Sequence, residues 1–261
     1  RTSARFTLEL KNLPLTGMRE PLLSNPVFFF KSGTLSGSGE IKKDLKESAV
    51  GLSASGTVGG FSYEVMQEKT WAAPPVVDVG WSFSGSWDLA TEEVKVQKMK
   101  AVFPFGDLEA SGDLKLRTGE IRKIHFTASN LVFENFLKHW PGLEGSIPFH
   151  IGFSGPSQWG FSVEGTLDHL SLHISLDLTQ TLLTYGVYFT KAKGVPLNVN
   201  FDYLVQKGET LSGDFSVRFQ DMSLKGNLTD LKLADGQGQI NILTNKFSLK
   251  GWEKHIPLLQ R

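Results

Sequence analysis

The chain has 261 residues, and its 27 Lys and Arg balance 27 Asp and Glu, so the formal net charge at pH 7 is zero. A neutral chain lacks the electric field that would recruit nucleic acid or an anionic membrane surface. The sequence contains no cysteine, which excludes disulfides and thiolate chemistry. No run of residues approaches the ~18 uncharged apolar positions of a membrane-spanning helix.

Apolar and polar residues alternate along most of the chain. The alternation begins at Phe6, Leu8 and Leu10 and is clear again in segments 170–178 and 197–205. Strict alternation predicts strands with one apolar face and one wet face, as in an antiparallel sheet. Glycine and proline turns separate these segments, and helical periodicity is almost absent. The sequence therefore predicts an all-β fold.

Two short segments, 131–139 and 249–255, have the apolar spacing of amphipathic helices instead. Asn130 stands where it could cap the first segment, because asparagine is a favoured N-cap residue. Pro141 and Pro257 follow the two segments and are expected to end them. The sequence predicts two short helices.

The two helical segments resemble each other, which indicates an internal duplication. KHWP at 138–141 precedes KHIP at 254–257 by 116 residues, and the DLKL at 113–116 recurs 117 residues later. Repeats of this kind form stacks in which each unit covers its neighbour. We therefore expect two β-repeat units, 1–144 and 145–261, each ending in its short helix.

A glycine recurs inside the strands at positions that share the parity of the apolar residues. Its clearest copies are Gly56, Gly85, Gly112, Gly165 and Gly226. One interpretation is a β-bulge or bend that curves the sheet. The other is clearance where a ligand's chain lies against the backbone. A sheet folded into a groove would need both the bending of the strands and the clearance for a ligand.

With so little helix, the apolar face of the predicted sheet must meet another sheet, close into a barrel or line an open trough. Leaving roughly 300 Å² of apolar surface wet costs roughly 7 kcal/mol, and acyl chains would fill such a trough. A β-sandwich whose two faces bury each other is the alternative. The candidate lining residues are Phe149, Ile151, Phe153, Phe161, Val163, Leu172, Ile174, Val199, Phe201, Phe215 and Val217.

No catalytic or metal-binding motif is evident in the sequence. His169 and His173 are four residues apart, which on a strand separates their side chains by about 13 Å, too far to share a metal. The chain has neither a Gly-x-Ser-x-Gly nucleophile elbow nor a phosphate-binding glycine loop. The six tryptophans have no basic run beside them, so nucleic acid is not an expected partner. We expect a binding protein that is not an enzyme, with no metal and no cofactor.

The glycine-punctuated strands, the segment 131–143 with its echo at 247–259, and GSIPFHIGF at 145–153 resemble the AsmA-like superfamily. This envelope group includes the TamB-like and YhdP-like proteins of Gram-negative bacteria. The resemblance implies a long, twisted antiparallel sheet curled into a taco-shaped β-groove with a hydrophobic interior. It also implies a phospholipid or other acyl lipid as ligand, and a periplasmic location with an inner-membrane anchor that this chain lacks.

On this interpretation the chain is a piece of a larger protein that shelters acyl chains during phospholipid transport between the inner and outer membranes. Two other functions stay open. The chain could be a scaffold or chaperone for outer-membrane protein assembly, working through exposed strand edges with an outer-membrane protein as partner. It could also be a purely structural β-sandwich domain.

Overall fold

The computed structural model describes residues 3–15, 28–44, 46–67, 70–72, 75–118, 120–139, 151–166, 168–206, 209–232, 237–246 and 255. The described residues are 79% strand and include one short helix, which confirms the prediction of an all-β fold. The chain divides into two compact units. Unit 1 comprises residues 1–111 and 134–149, and unit 2 comprises 112–133 and 150–261. The division groups 112–133 with the second unit, whereas the predicted boundary followed residue 144.

The first eight strands precede the helix. Their bounds are β1 Ser3–Pro14, β2 Phe28–Asp44, β3 Ala49–Gln67, β4 Thr70–Ala72, β5 Val77–Asp88, β6 Glu93–Phe103, β7 Gly106–Lys115 and β8 Glu120–Val132. The helix α1 spans Phe133–Lys138. The later strands are β9 Ile151–Ser154, β10 Pro156–Thr166, β11 His169–Asp177, β12 Leu182–Tyr185, β13 Phe189–Lys191, β14 Leu197–Gln206, β15 Thr210–Phe219, β16 Met222–Lys232 and β17 Gln239–Lys246.

Thirteen strands follow one hydrogen-bonded order, β1-β2-β3-β5-β6-β7-β8-β10-β11-β14-β15-β16-β17, with β4 paired to β3 beside it. The sheet is antiparallel, and among the described residues its first and last strands do not pair, so it is not closed. Three short strands form a second sheet in the order β13-β12-β9. Neighbours in sequence are mostly neighbours in the sheet, as short turns between alternating segments require.

The helix packs against a small core in unit 1. Phe105 is 7% exposed, and its ring lies 5.7 Å from that of Phe136 and 4.9 Å from that of His139. Tyr63 is also buried, its hydroxyl donates to the carbonyl oxygen of His139, and burial raises the pKa of Tyr63. The first predicted helix therefore forms and closes over aromatic side chains.

The predicted N-cap of the first helix and the second predicted helix have different outcomes. Asn130, expected to cap the first helix, lies in β8 with a φ of 54°, so it does not cap α1. The second predicted helix, 249–255, lies outside the described residues except for His255, which is in a turn.

The buried apolar residues of unit 2 lie at one end of its long strands. Leu178, Leu197 and Phe219 form the cluster, and Leu183 and Phe189 of the small sheet pack against it. His255 is 4% exposed and its ring lies 5.1 Å from that of Phe219. The small sheet and His255 thus cap this end of the large sheet, which we call the capped end.

A fully buried lysine stabilises the turn beside the capped end. The Nζ atom of Lys191 donates to the carbonyl oxygens of Thr181 at 2.7 Å, Thr179 at 3.1 Å and Ala192 at 3.2 Å. Burial lowers the pKa of Lys191, and the charge of Asp177 partly opposes this. The three carbonyls satisfy the donors of the amine, which is the condition for burying such a group.

Three β-bulges share one sequence feature. Asn12, Asn130 and Asp230 have φ values of 52°, 54° and 50°, and each lies at a register shift and is followed by leucine. At Asn12 and Asp230 the backbone N–H donates to a serine hydroxyl on the neighbouring strand. Asparagine and aspartate tolerate this left-handed backbone better than other side chains. The bulges bend and twist the sheet at these points.

The strand glycines lie where neighbouring backbones approach closely. Gly85, Gly165 and Gly226 border register shifts. A Cβ atom at Gly56 would lie 2.1 Å from the carbonyl oxygen of Ser36. The space that each of the five predicted glycines leaves is taken by the protein's own atoms, which favours the interpretation of bending over that of ligand clearance.

Gly165→Ala should destabilise unit 2. Its φ is 121°, and a Cβ would lie 2.1 Å from the carbonyl oxygen of His169, so the backbone must shift. We expect a loss of about 2 kcal/mol in the free energy of unfolding, measured by urea denaturation. Gly59→Ala is the control, because nothing lies closer than 3.9 Å to a Cβ there, and its effect should be small. Equal effects of the two substitutions would contradict a close approach at Gly165.

Candidate functional site

Eight of the predicted lining residues share one face of unit 2. In an antiparallel pair, residues directly opposite each other point to the same side of the sheet. The register connects such residues across five adjacent strands in a line that we call the central row, which is Phe126, Phe161, Ile174, Phe201 and Phe215. On β16 this row ends opposite Gly226.

Two parallel rows flank the central row at a spacing of two residues along each strand. Toward the capped end, the row is Ala128, Trp159, Leu176, Val199, Val217 and Leu224. Away from it, the row is Ile124, Val163, Leu172, Tyr203, Gly213 and Leu228. We call these three rows the apolar face. It contains no charged side chain among the described residues of β8, β10, β11, β14, β15 and β16.

Apart from the buried Ala128, the residues in the three rows of the apolar face are neither sealed in a core nor fully exposed. All eight predicted lining residues on it are half-buried. The fully buried apolar residues described in unit 2, by contrast, lie at or beside the capped end: Ala128, Leu131, Leu178, Leu197 and Phe219. The small sheet therefore covers one end of the apolar face, and the central row lies beyond the buried cluster.

The other predicted lining residues lie elsewhere. Ile151 and Phe153 belong to β9 in the small sheet, so they do not join the rows of the apolar face. The Phe153 ring lies 4.9 Å from that of Phe133, which also stacks on Trp159 at 5.5 Å. Phe149 lies outside the described residues. Of the residues expected to form a continuous lining from Phe149 to Val217, the eight from Phe161 onward therefore share one face of the sheet.

Several residues of the apolar face were not among the candidates. They are Ile124, Phe126, Ala128, Trp159, Leu176, Tyr203, Leu224 and Leu228. The same two-residue alternation that selected Phe161 and Phe201 would have found those on β10, β11 and β14. Those on β8 lie between two register shifts, and the alternation of apolar and polar residues changes phase at each shift.

The apolar face continues to the edge strand β17. Ile240 pairs with Leu228, Ile242 pairs with Gly226, and the two isoleucines are 68% and 55% exposed. Gly226 itself lies under the ring of Phe215, because a Cβ there would come within 2.4 Å of Phe215 Cζ. The ring of Phe215 therefore covers Gly226, and the exposed apolar surface lies toward β17.

Tyr203 is the one hydroxyl on the apolar face. Its ring stacks on that of Phe201 with centroids 5.5 Å apart, and burial raises the pKa of Tyr203. Among the described residues its hydroxyl has no hydrogen-bond partner. A neutral, unpaired donor at the end of an apolar surface can bind a carbonyl or ester oxygen of a bound molecule.

The reverse side of the same strands carries polar side chains, and we call it the polar face. It includes a hollow of about 930 Å³ near the capped end, whose lining includes Thr127, Ser175, Asn200, Ser216 and Arg218. It also carries His173, which is exposed, as is His169. The three described rows of the apolar face carry no charged side chain, so apart from the hydroxyl of Tyr203 that face offers a ligand dispersion and hydrophobic contacts.

No protein-family model matches this chain, and neither the curated proteins nor the solved structures contain a match. Among the described residues, no helix combines the length and the apolar character needed to cross a membrane.

Proposed function

We propose that the apolar face of unit 2 shelters the acyl chains of a phospholipid or another acyl lipid. The observation that carries this proposal is the set of three uncharged rows across six strands, half-buried beyond the capped end. A sandwich core would bury these side chains against a second layer along the whole strand. A surface that stays half-buried along most of its length is available to a ligand.

Acyl chains suit this surface chemically. They are apolar and extended, and each methylene taken out of water contributes about 0.8 kcal/mol. The rows run across the strands at a spacing of about 4.8 Å, so one chain can contact the side chains of several strands in succession. No headgroup specificity is expected from the rows, apart from the hydroxyl of Tyr203.

The cellular role we propose follows from the resemblance to the AsmA-like superfamily. In that role the chain is a periplasmic part of an envelope protein anchored to the inner membrane, and the sheet curls into a β-groove that conducts phospholipid between the inner and outer membranes. The open antiparallel sheet and the segregation of apolar side chains to one face support this proposal.

Lipid extraction from the purified chain tests the proposal. The chain is expressed in a Gram-negative host, purified without detergent and extracted with organic solvent, and the extract is quantified by mass spectrometry. We expect acyl lipids at a reproducible molar ratio to protein. A lipid-free chain that also fails to take up lipid from vesicles contradicts the proposal. If that lipid-free chain captures unfolded outer-membrane barrel strands, the scaffold function replaces it.

A further inference from the structure

A serine, a histidine and an aspartate lie side by side on the polar face of unit 2. Ser162 on β10 pairs directly with His173 on β11, and His173 pairs directly with Asp202 on β14. Directly opposite residues share a face, with Cβ atoms about 4.5–5.5 Å apart. The register therefore assembles three residues that are 11 and 29 positions apart in the sequence.

The histidine is held in one tautomer. Its Nδ1–H donates to Oδ1 of Asp202 at 2.6 Å, and because a carboxylate only accepts, the proton is on Nδ1. In the neutral ring the Nε2 atom is then a lone-pair acceptor, the state required of a general base. The hydroxyl of Ser162 has no hydrogen-bond partner among the described residues, so its proton is available to this base. Such hydrogen bonds commonly tighten only when substrate is bound.

All three side chains line one pocket of about 510 Å³. Lys123 and Glu164 also line it, and the ammonium of Lys123 has no ion pair within the described parts of the chain. Arg122 and Lys123 together lie opposite the single residue Glu164, because the register shifts between Val163 and Gly165. A bulge of this kind leaves a backbone N–H outside the ladder and is frequent beside active sites. The pocket thus combines a nucleophile, an oriented base, the ammonium of Lys123 and the carboxylate of Glu164.

We propose that Ser162, His173 and Asp202 form a hydrolytic site for small, polar carboxylic esters. Ser162 Oγ attacks the ester carbonyl as His173 Nε2 accepts its proton, and Lys123 stabilises the developing oxyanion. The C–O bond to the alcohol then breaks, and the alcohol leaves with the proton from Nε2. Water then gives a proton to the same nitrogen as its oxygen attacks the acyl carbonyl. The C–O bond to Ser162 Oγ breaks, the carboxylic acid is released, and Nε2 returns the proton to Ser162 Oγ. Asp202 orients the imidazole and stabilises the imidazolium.

This activity is independent of lipid binding. The side chains of Ser162, His173 and Asp202 lie on the polar face, opposite the rows proposed to contact acyl chains. The pocket lining combines hydroxyl and charged groups with Leu172, Tyr203 and Leu204, which suits a small, soluble ester. The pocket is open to solvent, so water reaches the acyl-enzyme and deacylation needs no conformational change. Loss of esterase activity would therefore leave lipid content unchanged, and the two proposals fail separately.

Active-site labelling tests the proposal directly. The full chain is incubated with a fluorophosphonate probe, and the labelled residue is identified by mass spectrometry. We expect labelling at Ser162 and measurable hydrolysis of p-nitrophenyl acetate. Ser162→Ala should abolish both, and His173→Ala and Asp202→Asn should each lower the rate at least tenfold.

Ser175→Ala is the matched control, since Ser175 is the next polar-face residue on β11 but pairs directly with Gly160 and Asn200 and lines the hollow near the capped end instead. It should hydrolyse and label like the unmodified chain. The proposal is overturned if no serine is labelled, if another serine is labelled equally, or if hydrolysis persists in Ser162→Ala. Circular dichroism of each variant shows that the fold is retained, as substitutions on an exposed polar face allow.

Discussion

Phe201→Asp is expected to lower the amount of acyl lipid that co-purifies with the chain at least tenfold. Phe201 occupies the middle of the central row, between Ile174 and Phe215, and stacks on Tyr203. A carboxylate there would have to lose water when an acyl chain covers it, and desolvating an unpaired charge costs several kcal/mol. Since 1.4 kcal/mol corresponds to a factor of ten in affinity, the loss should be easy to measure by lipid extraction and mass spectrometry.

Asn200→Asp is the matched control for this experiment. Asn200 is the preceding residue on the same strand but lies on the polar face, where it lines the hollow near the capped end. The substitution adds the same charge and should leave lipid content unchanged. If both variants retain equal amounts of lipid, Phe201 does not contact lipid. If the Phe201→Asp chain unfolds, Phe201 belongs to a core and not to an accessible face.

Phe219→Ala is expected to lower the free energy of unfolding by about 3–5 kcal/mol, the range for truncating a fully buried phenylalanine. Phe219 is 3% exposed and lies in the cluster with Leu178 and Leu197. Its ring also lies 5.7 Å from that of Phe189 and 5.1 Å from that of His255, so truncation opens a cavity between the two sheets. Urea denaturation followed by circular dichroism measures the loss.

Phe215→Ala, four residues earlier on β15, distinguishes an open face from a sealed core. Phe215 is half-buried, and the contact that it makes with Gly226 is on its own sheet. Removing its ring should cost about 1–2 kcal/mol, because part of that surface is already in water. A cost equal to that of Phe219→Ala would mean that a second layer seals the whole face, as in a β-sandwich, and would remove the basis for lipid binding there.

The two segments on which the predicted internal duplication rests make similar contacts in the two units. His139 of the KHWP segment packs on the buried Phe105, and His255 of the KHIP segment packs on the buried Phe219. Each phenylalanine lies near a hairpin that leads into a glycine-containing strand, β7 or β16. The sequence match at 116 residues therefore corresponds to a similar local contact in each unit.

The glycines show where inference from sequence stops. Their spacing and parity placed them on the apolar side, but two interpretations remained open. In the structure, a Cβ atom placed on Gly112 would lie 2.3 Å from the carbonyl oxygen of Lys123. A Cβ atom placed on Gly165 would lie 2.1 Å from the carbonyl oxygen of His169. Such contacts depend on the neighbouring strand, whose register a single strand's sequence does not specify.

The strands, and the side chains that share a face within each strand, follow from the alternation of residues alone, because side-chain direction along a strand has a period of two. That alternation predicted the all-β fold and selected the apolar residues from Phe161 to Val217. Which strands pair, and in what register, became known from the folded chain, since pairing brings together segments distant in the sequence. That register separated Ile151 and Phe153 from the apolar face and placed Ser162 beside His173 and Asp202, an arrangement that no local pattern encodes.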